Sequence, residues 1–147
     1  MHKLHSMLLF IGIVGAFFAI PQSEVIQAAG CSGMGCNGKD PIAMGCANDA
    51  YTVTSAEITS NGSTIGRVDL RWSPSCQTNW SRVVSYVGGT NMFVMLTDCA
   101  GNELSGTYYQ AYGTSVYGDM RYNTTVRALG AFGWNRASDM FKTTGCY

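Results

Sequence analysis

The chain has 147 residues, nine basic and nine acidic side chains, six cysteines and two histidines, and it is formally neutral at pH 7. Both histidines, His2 and His5, lie in an N-terminal segment that reads as a cleaved leader, so the remainder holds no imidazole for a catalytic triad or a histidine-bearing zinc site. Neutrality without a basic block also argues against nucleic-acid binding and against a membrane-surface helix.

Residues 1–29 carry Lys3, an uncharged run from Met7 to Ile20, and then Pro21 and a polar stretch ending in Ala28, Ala29 and Gly30. This is the order of a secretory signal peptide, with cleavage expected near Ala28 or Ala29. The run of 14 residues is short of the roughly 20 needed to span a bilayer. The expected product is a secreted single domain of residues 30–147, with no membrane insertion after cleavage. Cys31 directly after small residues raises lipid attachment as an alternative, but Gln22, Ser23, Glu24 and Gln27 separate it from the apolar run. Lipidation would also leave an odd cysteine.

Residues 31–46 hold three of the six cysteines and Gly33, Gly35, Gly38 and Gly45. Such a segment needs cross-links to be ordered and is expected to form a stapled loop or arm laid over the domain. From Tyr51 the pattern is β. Residues 51–60 and 63–72 flank Asn61-Gly62, the strongest short hairpin signal, and should pair antiparallel. Trp80, Arg82, Val84 and Tyr86 share one face of a third run, and residues 91–97 are almost wholly apolar, as in a buried strand. Residues 103–111, 126–132 and 140–146 supply further strands, with room for one short helix near 134–141. The predicted fold is mostly β: a small antiparallel sandwich or barrel stabilised by disulfides, with a Cys/Gly-rich N-terminal loop.

In an oxidising compartment Cys31, Cys36, Cys46, Cys76, Cys99 and Cys146 form three disulfides, whose pairing is open among 15 arrangements. Only Cys31 and Cys36 approach zinc-ligand spacing, so no metal and no cofactor are expected. The Gly38-Lys39 step lacks the rest of a phosphate loop. Asp40 and Pro41 read instead as a turn in which the carboxylate caps backbone N–H groups.

The run from Leu70 to Arg82 places two tryptophans and two arginines around a proline-broken corner at Ser73-Pro74-Ser75-Cys76. Arg71, Trp72, Trp80 and Arg82 are candidates for a contact surface, because guanidinium and indole faces stack on ligands. The competing reading gives one ring to the core and the arginine stems to its edge. Tyr108, Tyr109 and Tyr112, with Tyr117, Tyr122 and Trp134 nearby, are a second candidate face of rigid rings.

These two cysteine-bearing clusters resemble the YjfA-like family, secreted or surface-exposed proteins mainly of Gram-positive bacteria, catalogued as a domain of unknown function. The resemblance rests on Cys36, Gly38-Lys39-Asp40-Pro41 and Gly45-Cys46, then Leu70-Arg71, Ser73-Pro74, Cys76, Trp80, Arg82 and Val83. It implies extracellular location and disulfides, and it brings no catalytic residues. Relatives also occur as the outer part of membrane-bound regulators, which implies sensing or binding.

The expected function is therefore non-catalytic binding in the cell envelope or outside the cell, with a cell-wall carbohydrate or an extracellular protein as partner. One alternative is a histidine-free hydrolase drawing two carboxylates from Asp40, Asp49, Glu57, Asp69, Asp98, Glu103, Asp119 and Asp139. Another is a secreted antagonist or inhibitor.

Overall fold

A computed structural model describes residues 28–88, 90–105, 108–122, 125–133 and 140–147, with only the backbone of Thr90 and of 108–113. The expected leader, apart from Ala28 and Ala29, and most of the expected helix near 134–141 lie outside the described residues. The described residues form eight strands: β1 (Tyr51–Ser60), β2 (Ser63–Ser73), β3 (Thr78–Ser85), β4 (Thr90–Asp98), β5 (Tyr108–Gly113), β6 (Ser115–Tyr117), β7 (Val126–Phe132) and β8 (Phe141–Thr143). They form two four-stranded sheets, ordered β1-β2-β3-β6 and β5-β4-β7-β8, with antiparallel pairing throughout. This is an open sandwich; the barrel alternative does not hold.

The Asn61-Gly62 turn closes the first hairpin with φ of 50° and 79°, the positive values that asparagine and glycine tolerate. Behind it β1 and β2 pair from Ser60↔Ser63 to Tyr51↔Trp72, with a bulge at Val53. Even-numbered β2 residues point inward: Gly66, Val68 and Leu70 are buried. They meet Met92, Val94 and Leu96 of β4 and Ala128 and Phe132 of β7 in one apolar core. Two glycines set how closely the sheets approach. A Cβ on Gly66 would stand 2.5 Å from Phe132 Cζ, and one on Gly130 would stand 2.8 Å from Val68 Cβ and collide with Val83.

β5 starts later than the sequence suggests, because residues 103–105 run back beside β4 after its turn, where Thr97 bridges Glu103 and Ser105 Oγ accepts from Leu96 N at 3.1 Å. It missed β6, a three-residue strand that pairs with β3 through Val83↔Val116. So short a strand carries too few alternations to be read from its own pattern.

The cysteine-rich arm, residues 31–50, runs over the outer face of the first sheet through 3₁₀ turns at Gly33–Cys36 and Cys46–Asn48. Asp40 caps its middle as expected, accepting from Ile42 N at 2.7 Å and Ala43 N at 3.1 Å. Backbone bonds attach the arm to the sheet: Gly33 N to Cys76 O at 2.8 Å, and a reciprocal pair from Gly38 N to Met120 O and Met120 N to Lys39 O, both 3.0 Å. Beneath it lies a second small core of Cys36, Cys46, Cys76, Trp80 and Met120.

Candidate functional site

The four residues expected to share one contact surface are divided by the pleat. Arg71, Trp80 and Arg82 stand on the outer face of the first sheet, as the pairs Arg71↔Trp80 and Asp69↔Arg82 require. Trp72, one residue from Arg71, points to the opposite face and is half-buried beside its partners Tyr51 and Asn79. Trp80 is 0% exposed. The arm covers it, so it is a core ring and not a ligand contact, which corrects the expectation for this residue. The competing reading, one large ring in the core with arginine stems along its edge, describes the corner better.

The outer face carries a charge cluster that follows from period two along β2. Arg67, Asp69 and Arg71 alternate with the inward Val68 and Leu70, so all three lie on the same side. Ser55, Asp69, Arg82 and Tyr117 form one cross-strand row. Asp69 has a fully buried side chain, and its carboxylate accepts from Ser55 Oγ at 2.7 Å and Arg82 Nε at 2.9 Å, with Arg67 Nε 2.9 Å away. Both oxygens thus accept hydrogen bonds, from Ser55 and from Arg82 Nε and Nη2, and Arg67 adds an ion pair, the pairing a buried carboxylate needs. The charge of Asp69, with a hydrogen bond that Arg67 donates to Tyr86, holds the Arg67 guanidinium above its ordinary pKa against the effect of burial.

Arg71 differs. Its Nη1 donates to Thr52 Oγ1 at 2.8 Å and its Nη2 to the Ala50 carbonyl at 2.7 Å, both neutral acceptors. Burial, and then the like charge of Arg82, pull its pKa below the ordinary arginine value. Among the described residues it makes no ion pair with a carboxylate. Three guanidinium groups therefore surround one buried carboxylate, with Arg67 38% and Arg82 19% exposed at the side chain. Such a face can accept an anion that supplies the missing counter-charge.

Arg71 and Arg82 stand out in the sequence as contact candidates, whereas Asp69 figures there only among possible hydrolase acids and Arg67 carries no signal of its own. The alternation Arg67-x-Asp69-x-Arg71 was the available signal. Four of the candidate acids hold structure: Asp40 and Asp69 as described, Asp98 accepting from Asn102 N and Nδ2 at 2.8 and 2.7 Å, and Asp49 accepting from Ser73 Oγ at 2.6 Å and Ser75 N at 2.7 Å. Of the tyrosines, Tyr117 packs against the cysteine cluster and Tyr122 is exposed. Tyr108, Tyr109 and Tyr112 belong to β5, with side chains outside the described residues, as is Trp134.

The cysteines pair as Cys31–Cys36, Cys46–Cys76 and Cys99–Cys146, with Cα separations of 5.3, 5.7 and 5.7 Å. Cys46–Cys76 joins the arm to the β2–β3 turn, and Cys99–Cys146 joins the end of β4 to the C-terminal segment. With the arm, the corner and both sheets in place, a family model described as Protein of unknown function (DUF2690) matches residues 34–132. The chain belongs to that family. The DUF2690 match reaches past the first-half resemblance to take in β4 to β7 and stops before β8. No curated protein and no solved structure gave a significant match.

Proposed function

We propose that this DUF2690 protein is a secreted, non-catalytic binding module of the cell envelope or extracellular space, and that the outer face of its first sheet holds anionic groups of an envelope polymer. The leader-like N-terminus, the three disulfides and the YjfA-like motifs support the location. Among the described residues, no helix is long and apolar enough to cross a membrane. The observation that carries the binding reading is Arg71, a half-buried guanidinium with neutral acceptors only, set beside Arg82 on a face whose one buried carboxylate is already paired. A polymer bearing phosphodiester or carboxylate groups offers bidentate acceptors to this fork.

Titration calorimetry of the secreted protein with a purified anionic wall polymer tests the reading at several salt concentrations. Affinity is expected to fall with salt, and Arg71→Gln to weaken binding about tenfold or more, as for a charge-assisted contact of about 1.5–3 kcal/mol. Arg71→Lys should retain part of the affinity while losing the fork. Equal binding by Arg71→Gln in a variant of unchanged melting temperature, or no binding to any anionic polymer, overturns it.

A further inference from the structure

Beside the arginine face, where the arm covers Trp80, the Sγ atoms of Cys31, Cys36, Cys46 and Cys76 lie within 4.8 Å of one another. Cys36, Cys46 and Cys76 are 0% exposed and Cys31 is half-buried. We propose that this cluster is a redox-gated metal site: two disulfides in the oxidised protein and, after reduction by a dithiol, a tetrathiolate site for Zn²⁺. Each disulfide takes up two electrons and two protons from the dithiol, which leaves as its own disulfide, so the two bonds yield four thiols. Zn²⁺ then binds as the four thiols release their protons to solvent.

The geometry supports it in three ways. Tetrahedral Zn²⁺ with Zn–S of about 2.3 Å sets sulfurs about 3.8 Å apart, and Cys31 Sγ lies 4.0 Å from Cys46 Sγ of the other disulfide. The disulfides are also not the only ties that assemble the cluster. Asp49 binds Ser73 Oγ and Ser75 N, and Gly33 N binds the Cys76 carbonyl, so the arm keeps its contacts to the β2–β3 turn when the S–S bonds open. Finally, Ser75 Oγ lies 3.8 Å from Cys76 Sγ as a donor to the sulfur, the kind of outer contact that orients a thiolate ligand. Spacing along the chain had counted against zinc because only Cys31 and Cys36 are near neighbours. The fold brings Cys46 and Cys76 to them from separate segments, and leaves Cys99–Cys146 exposed elsewhere.

The test is anaerobic titration of the phosphine-reduced protein with Zn²⁺ against a chromophoric chelator, with Co²⁺ as spectroscopic reporter and far-ultraviolet circular dichroism as fold reporter. One Zn²⁺ per chain, a tetrahedral thiolate spectrum with Co²⁺ and a retained β spectrum are expected. The paired variants Cys31→Ala/Cys36→Ala and Cys46→Ala/Cys76→Ala should each lose at least about tenfold in affinity, since even outer-shell losses reach that size. Cys99→Ala/Cys146→Ala should still bind one ion. Binding that survives loss of either half of the cluster, or a reduced chain that unfolds and is not restored by Zn²⁺, overturns the proposal.

Discussion

At the scale of single residues, Asp69 and Asp49 show how differently two carboxylates can serve one sheet. Asp69 is fully buried between two guanidinium groups. Asp69→Asn keeps its shape but leaves Arg67 and Arg82 without their counter-charge, and should cost about 3 kcal/mol in urea unfolding, the range for breaking a buried pair. Asp49 is exposed, yet the hydrogen bonds from Ser73 and Ser75 outweigh the opposing effect of burial and hold its pKa below the ordinary carboxylate value. A depressed folded pKa gives stability that is present above the unfolded value, near 3.9, and is lost as pH falls through the folded one. The arm should therefore loosen in acid below about pH 4, and Asp49→Asn should remove that part of the pH dependence in melting measurements. Neither role was legible from composition. Period two along β2 would have put Asp69 beside two arginines, whereas Asp49 meets Ser73 only across the fold.

At the scale of elements, strong local signals were read correctly and weak ones were not. The hairpin of β1 and β2 ends within a residue of its expectation, because Asn61-Gly62 prescribes the turn by itself, and β7 coincides with the run 126–132. The strand expected from residue 103 begins later, at Tyr108, because residues 103–105 turn back on Leu96. The inward glycines were legible as glycines but not as spacers, since the need for them arises only when two sheets meet. Gly130→Ala should destabilise the protein by about 2–3 kcal/mol, as overpacking against Val68 and Val83 does. Denaturant unfolding with unchanged slope is the check.

At the scale of the molecule, the arm is part of the fold and not an appendage. Its small core has Trp80 at 0% exposure, so Trp80→Ala should cost about 3–5 kcal/mol and release the arm to proteolysis. The chain-entropy view ranks the disulfides by their sequence separations of 5, 30 and 47. Loss of Cys31–Cys36 should cost about 2 kcal/mol, and loss of Cys46–Cys76 or Cys99–Cys146 about 3.5–4. Their number was legible from an even set of cysteines in a chain whose N-terminus reads as an export leader. Their pairing was not, because it depends on how the arm crosses the outer face of the first sheet. A secreted sandwich with its arm locked over that sheet is the claim on which the binding face and the sulfur cluster both rest. Non-reducing peptide mass mapping of the protein recovered from the medium tests it most directly. It should find an N-terminus near Ala28 or Ala29, with Cys31–Cys36, Cys46–Cys76 and Cys99–Cys146 and no free thiol. A retained leader, a lipid on Cys31, or Cys46 paired with anything but Cys76 would contradict it.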